Sequence, residues 1–131
     1  MKYALDTNTV TYFFKGQGEV ARHLLAKPPA LIAVPALVVY EIEFGLSRST
    51  APARRQEQLA AFLDTVTVLP FGRDEAREAA RIRRDLERAG RPIGPLDVLI
   101  AATAAAASCT LVTHNVREFA RIRGLKTEDW F

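Results

Sequence analysis

The sequence predicts an α/β fold in which helices cover a central, mostly parallel sheet. Four short apolar runs have the composition of strands and recur along the chain. Segments with the apolar spacing of helices lie between them. Polar and acidic residues directly follow the first and the last run, which is where a parallel sheet binds ligands.

The elements follow one another in strand-and-helix alternation. The predicted strands cover residues 3–5, 31–34, 66–69 and 110–113. The predicted helices begin near Thr9 and then cover residues 19–26, 35–46, 54–63, 74–89 and 95–108. Pro35 and Pro95 are each placed as a first helical residue, because the fixed φ of proline suits that position. We find no internal repeat or linker, so residues 1–131 are expected to form one domain.

Composition narrows the class of protein. The chain has 131 residues, of which 49% are hydrophobic, and its 18 Lys and Arg exceed its 15 Asp and Glu by 3. This small basic excess favours a polyanionic partner. The single cysteine, Cys109, excludes a disulfide within the chain. No signal-peptide pattern opens the sequence, and the longest apolar run, 98–107, is too short to span a bilayer, so a soluble cytoplasmic protein without a membrane partner is expected.

Three acids stand at positions where an acid needs an explanation. Asp6 follows the first predicted strand, Glu41 lies among apolar residues of a helix, and Asp97 is the third residue of an almost wholly apolar helix. Asp6 and Asp97 have an alternative role as helix caps. A carboxylate in an apolar helix such as that of Glu41 is costly unless it is paired, exposed or bound to a cation.

A fourth polar group follows the last predicted strand. Thr113 closes that strand, and His114, Asn115 and Glu118 come next. Clustered carboxylates repel one another, and they are favoured where they hold a hard divalent cation such as Mg²⁺ or Mn²⁺. Such an ion supplies hydroxide and stabilises displacement at phosphorus. Two interpretations of His114 are open: it contacts the substrate or takes part in proton transfer, or it is a surface turn residue.

Four segments in order give the chain a family resemblance. They read LDTN after the first strand, YEIEFG in a helix, RPIGPLDVLIAA at the start of the apolar helix and LVTHNVREF after the last strand. Together they resemble the signatures of the PIN domain. The whole chain, including its ending RGLKTEDW, is similar to the VapC toxins of bacterial VapBC toxin–antitoxin modules.

The resemblance implies a three-layer α/β/α PIN-like fold and a metal-dependent endoribonuclease. Its acidic positions fall on Asp6, Glu41 and Asp97, which are thereby expected to be catalytic and to bind Mg²⁺ or Mn²⁺. The position of the family's fourth acid is harder to assign in this sequence. Asn115 stands where many PIN domains have Asp, so Glu118 is expected to complete the catalytic set, with Glu118 or Asn115 as a further candidate metal ligand.

Supporting residues and partners also come from the resemblance. Asn8, Thr113 and Asn115 match positions that orient the acids. The implied partners are an RNA substrate, with the anticodon stem-loop of initiator tRNA as a candidate, a VapB-like antitoxin, and a homodimer or larger toxin–antitoxin assembly. A PIN domain that only binds RNA or a partner is the alternative function.

Two further features are weighed against these expectations. The helix of residues 74–89 is rich in arginine, and a solvated amphipathic face is favoured over a dedicated RNA groove. Arg91 lies close in sequence to Asp97, so a phosphate contact is predicted there, and Arg91→Ala should weaken RNA cleavage without unfolding the protein. A haloacid-dehalogenase-type phosphatase is disfavoured because Asp6-Thr7-Asn8 lacks the second acid of its DxD motif.

Overall fold

The computed structural model describes residues 2–50 and 52–131 and contains a five-stranded, entirely parallel sheet. The strands are β1 (Tyr3–Leu5), β2 (Ile32–Pro35), β3 (Thr67–Leu69), β4 (Thr110–Val112) and β5 (Thr127–Glu128), in the spatial order β3-β2-β1-β4-β5. β1 is central and pairs with β2 on one side and β4 on the other. Neighbouring parallel strands must be joined by crossover connections, which are usually helices. The predicted α/β/α class is confirmed.

The crossovers supply the flanking helices. The α-helices of the described residues are α1 (Thr7–Lys15), α2 (Val20–Leu25), α3 (Ala36–Ser47), α4 (Pro52–Leu63), α5 (Arg73–Arg88), α6 (Pro95–Ala106) and α7 (Val116–Phe119), and a 3₁₀ turn covers Pro29–Leu31. α6 packs on β2, β4, α3 and α5, whereas α1 packs on α2 and α3. α6 is therefore the helix that joins the sheet to the outer helices.

Burial explains why α6 is so apolar. Six of its twelve residues are buried, and Ala101, Ala102 and Ala104 are fully so. Small side chains let the helix approach both the sheet and α5. By contrast α5 buries only Ala79, Ile82 and Leu86, at helical spacing, and turns its charged residues outward. No helix in the described part of the chain is long and apolar enough to cross a membrane.

The structure corrects one predicted boundary. Pro35 is not the first residue of a helix: it is the last residue of β2, pairs with Leu69, and precedes α3. Its φ of −59° suits a helix as well as a strand, but its ψ of 143° is extended.

Two elements near the ends of the chain also differ from the prediction. α1 begins at Thr7, immediately after Asp6, rather than near Thr9. β5 was not predicted, because a strand of two residues is too short to show alternation. The C-terminus is held by the Phe131 carbonyl, which accepts a hydrogen bond of 2.6 Å from the Glu19 N–H. Gly18 has a φ of 62° and lies against Phe131, where a Cβ would meet the carbonyl oxygen at 2.5 Å.

Candidate functional site

The sheet topology places the acidic residues at one edge. β1 and β4 are neighbours, but after β1 the chain continues to β2 toward one edge of the sheet, and after β4 it continues to β5 toward the other edge. Ligands of open α/β sheets bind at such a switch point. Asp6 follows β1, and Thr113 to Asn115 follow β4. These two segments form the centre of the candidate site.

Asp6 is a buried carboxylate held in a fixed orientation. It is 7% exposed, and its Oδ1 accepts a hydrogen bond of 2.9 Å from the Thr9 N–H as the N-cap of α1. Burial raises the pKa of Asp6, and hydrogen bonds from Thr113 and Thr9 oppose that rise. The charge of Asp129 raises the pKa further. The capping role, one of the alternatives that the sequence offered for Asp6, is confirmed.

The threonines around Asp6 tie α1 to β4. Thr9 is buried, and its hydroxyl donates to the Val112 carbonyl at 3.1 Å. Thr113 is fully buried, hydrogen-bonds the Asp6 carboxylate, and accepts a hydrogen bond of 3.0 Å from the Asn115 N–H. Thr113 thus lies where an orienting residue is expected. Asn8, the other predicted orienting residue near Asp6, is exposed on the first turn of α1.

Glu41 reaches the site through a residue that the sequence reasoning did not single out. The Thr7 hydroxyl donates a hydrogen bond of 2.5 Å to Glu41 Oε1, which joins α1 to α3. This contact answers how an acid is tolerated in an apolar helix, since the side chain is only partly buried and has a donor. Thr7 directly follows Asp6, and that adjacency was the available signal. Glu43, two residues on, is exposed.

The charges of the other three acids act on Asp97. It is the third residue of α6, as predicted, but no side chain caps this helix. The pKa of Asp97 is raised by burial first and then by the charges of Glu118, Glu41 and Asp6. The structure therefore brings all four predicted acids into one electrostatic environment, although they come from four separate parts of the chain.

Glu118 is held by Asn115. The Asn115 amide donates a hydrogen bond of 2.7 Å to Glu118 Oε2 across the first turn of α7. Because Asn115 uses its amide hydrogens on Glu118, its amide oxygen remains free to face a ligand. The pair places one carboxylate and one amide oxygen beside Thr113.

The donor set fits a hard divalent cation. Asp6, Glu41, Asp97 and Glu118 offer only oxygen atoms, the donors that Mg²⁺ and Mn²⁺ prefer, and their mutual repulsion would be relieved by a positive charge. Within residues 2–50 and 52–131 no three acidic, histidine or cysteine side chains stand close enough to enclose an ion. A Mg²⁺ ion held here would therefore bind only one or two of these carboxylates directly and would retain water molecules, as Mg²⁺ usually does.

His114 has a different set of contacts from those of the acids. Its Nδ1 lies 2.9 Å from Asp129 Oδ2, and its ring stacks on Phe131 with 4.3 Å between centroids. Burial acts to raise the pKa of Asp129, but hydrogen bonds from the Phe131 N–H and from His114 bring it below its usual value. Asp129, which also acts on Asp6, was missed because it lies in a C-terminal segment that showed no strand pattern.

A groove of about 590 Å³ opens beside the Thr7–Glu41 hydrogen bond, between α1, α3 and α4. Its lining mixes apolar side chains, Phe14, Ile42 and Leu46, with basic ones, Lys15, Arg54 and Arg55. The acidic site therefore continues into a surface that has both apolar and cationic character.

Comparison with known proteins defines the class. The PIN domain family model matches residues 3–125. A match over so much of the chain, together with acids gathered at the switch point of a parallel sheet, shows that the chain belongs to the PIN domain family.

The relatives place it more narrowly, among the VapC ribonucleases. The tRNA(fMet)-specific endonuclease VapC of Salmonella typhimurium is 33% identical over 130 residues, which cover 99% of this chain and 98% of that protein. Ribonuclease VapC2 of Rickettsia felis is 35% identical over 133 residues, with the same coverage of both chains.

Solved structures agree with this placement. A chain of the DNA-bound VapBC complex of Salmonella typhimurium superposes with a TM-score of 0.92 at 33% identity, covering 100% of this chain and 99% of that one. A chain of the promoter-bound VapBC2 complex of Rickettsia felis gives a TM-score of 0.90 at 35% identity and covers both chains completely.

Proposed function

We propose that this protein is a toxin that hydrolyses phosphodiester bonds within RNA and requires Mg²⁺ or Mn²⁺. The observation that carries the proposal is the action of three other carboxylates on Asp97 at the switch point of the sheet. A cluster of this kind is unfavourable by itself and becomes favourable around a divalent cation. The VapC ribonucleases of similar sequence support the same reaction class.

The chain's own residues prepare the site for that reaction. Asp6 and Asp97 are the proposed main metal ligands, and Glu41 and Glu118 complete the acidic set. Thr9 and Thr113 hold Asp6, Thr7 holds Glu41, and Asn115 holds Glu118. When bound, the metal would supply an activated water and would offset negative charge that develops on the phosphate. No dedicated histidine base is then needed, which fits the engagement of His114 with Asp129.

The substrate proposed is RNA, with tRNA as the first candidate. The Salmonella relative is named for cleavage of tRNA(fMet), and it matches this chain over nearly its full length. The basic excess of the chain and the arginine and lysine side chains of the groove beside Glu41 favour a polyanionic substrate. The initiator tRNA anticodon loop remains the specific site to be tested.

The partner proposed is a VapB-like antitoxin. Structural relatives are chains of VapBC complexes. The surface offers support of its own, because α3 leaves Tyr40 57% exposed and Phe44 55% exposed, one turn apart. Large exposed aromatic side chains on one helix face are typical of protein interfaces.

The test is cleavage of a tRNA pool by purified protein in Mg²⁺, in Mn²⁺ and in a chelator. Discrete fragments that require the metal and disappear with Asp97→Asn are expected, and mapping their ends identifies the cleaved site. Cleavage that persists in chelator and in the variant would contradict the proposal. Metal binding without cleavage of any RNA would favour the binding-only alternative.

A further inference from the structure

A second cleft, separate from the groove beside Glu41, is lined mainly by arginine. It has a volume of about 460 Å³ and is formed by the C-terminal half of α5, the segment that follows it, and residues 121–123. The basic residues that line it are Arg81, Arg88, Arg91, Arg121 and Arg123, and Asp85 is the one acid among its lining residues. Its charge is therefore strongly positive.

Ion pairs within the protein involve only some of these arginines. Arg81 is paired, at 2.5 Å to Glu78 and at 3.1 Å to Asp85, and Asp85 is shared with Arg84. In the described part of the chain, no hydrogen bond or ion pair engages the guanidinium of Arg88 or Arg91, and Arg123 acts on Asp85 through its charge without a hydrogen bond. Along α5 itself charges pair at helical spacing, as Arg83 does with Glu87 at 3.2 Å, which agrees with the solvated face predicted from the sequence.

Arg121 is anchored to one wall of the cleft and has one unsatisfied donor. Its Nη1 donates to the Pro92 carbonyl at 3.2 Å, which fixes the guanidinium against the loop before α6. Its Nε is buried and has no acceptor in the described residues. Buried donors without an acceptor are rare in folded proteins, and this one marks the Arg121 guanidinium as incompletely satisfied by the described residues.

Both walls of the cleft connect along the chain to residues of the acidic site. Arg91 and Pro92 begin the segment that leads to Asp97 at the start of α6. On the other wall, the Arg121 N–H donates to the Glu118 carbonyl at 3.1 Å. An anionic chain that occupies the cleft is thereby directed toward the carboxylates.

We propose that the arginine cleft binds phosphates of the RNA strand next to the bond that is cut. The proposal rests on the proposed ribonuclease function and adds a positioning site to it. Guanidinium groups match phosphate oxygens, and backbone phosphates recur along the strand, so several arginines can be engaged in succession. A phosphate-binding cleft beside the carboxylates also explains how a polyanion is held near an acidic cluster that repels it.

The experiment measures RNA binding without turnover. An end-labelled RNA stem-loop is titrated with protein in chelator at several salt concentrations, and binding is followed by fluorescence anisotropy. The variants are Arg91→Gln, Arg123→Gln and Arg121→Gln. The matched control is Arg83→Gln, which removes the same charge from α5 at a position outside the cleft.

Each cleft variant is expected to weaken binding about tenfold. Each should also reduce the slope of log K against log salt by roughly 0.7, the value for one phosphate contact with a single strand. Arg83→Gln should leave both unchanged. Arg91 and Arg123 are exposed, so their variants will fold even if Arg121→Gln does not.

The outcomes separate the cleft from the ribonuclease function. Equal affinities for the wild type, Arg91→Gln and Arg123→Gln would overturn the cleft proposal even if the wild type cleaves RNA with Mg²⁺. Equal losses for the cleft variants and Arg83→Gln would overturn it as well. Conversely, a selective loss of binding in a protein that cuts no RNA would keep the cleft and refute the ribonuclease. Inorganic phosphate or an acidic peptide that binds the cleft without displacing RNA would assign it to another ligand.

Discussion

The acidic site and the arginine cleft lie side by side but hold their charges differently. At the acidic site each carboxylate except Asp97 has a hydrogen-bond donor, and burial and mutual repulsion raise the pKa of Asp97. In the cleft, Arg88 and Arg91 have no ion pair among the described residues, and both are exposed to water. Charges buried together interact strongly, whereas exposed charges are screened. Substitutions at the acids should therefore have larger effects than substitutions at the arginines.

The largest effect is expected from Asp6→Asn. Asparagine caps a helix as well as aspartate does, so α1 should persist, while the loss of the proposed metal ligand should reduce RNA cleavage about a hundredfold or more. Cleavage rates and circular dichroism of the same samples check this. Asp64→Asn, an exposed acid after α4, is the control and should retain full activity. Full activity in Asp6→Asn would remove Asp6 from the site.

A smaller effect separates two acids of α3. Glu41→Gln keeps an acceptor for Thr7 but removes the charge that acts on Asp97, so cleavage should fall about tenfold to a hundredfold. Glu43→Gln is exposed and removes the same charge from the same helix, so it should leave cleavage unchanged. Equal rates for the two variants would place Glu41 outside the reaction.

A still smaller effect is expected from Asn115→Ala. The substitution removes the amide that holds Glu118 but leaves the carboxylate in place, so cleavage should fall by less than about tenfold. Glu118→Gln should be the more damaging of the two. The reverse order would show that the Asn115 oxygen matters more than the Glu118 charge, and a metal titration of both variants would test that assignment.

The acidic site should also make the metal-free protein less stable as pH rises. The folded-state pKa values of Asp6 and Asp97 lie above the usual value of 3.8. Between the unfolded and folded pKa values the native state holds more protons, so the free energy of unfolding falls as pH rises through that window.

The measurement is thermal unfolding of metal-free protein from about pH 4 to about pH 7. Asp97→Asn should melt a few degrees above the wild type at neutral pH, and Mg²⁺ should stabilise the wild type more than the variant. A wild type that is the more stable of the two in metal-free buffer at neutral pH would show that the carboxylates do not strain the fold.

Most of the secondary structure was predictable, and each exception has its own physical cause. The periodicity of α5 and the apolar run of α6 were long enough to be recognised, and Pro95 begins α6 as predicted. Pro35 was assigned to the wrong element because one φ value serves both a strand end and a helix start. The two residues of β5 depend on pairing with β4, a long-range interaction that no local pattern reports.

The sequence by itself determined the type of the longer elements and which acids stand at strand and helix ends, because apolar periodicity and the position of Asp6 and Asp97 are local properties. Only the tertiary structure decided which residues from other parts of the chain contact these acids. Strand order places Asp6 beside Thr113, and helix packing brings the Thr7 hydroxyl to Glu41. It also decided that the buried Arg121 Nε has no acceptor among the described residues and that Arg91 lines the cleft. Contacts between residues far apart in the chain depend on three-dimensional packing, and local sequence patterns carry no record of it.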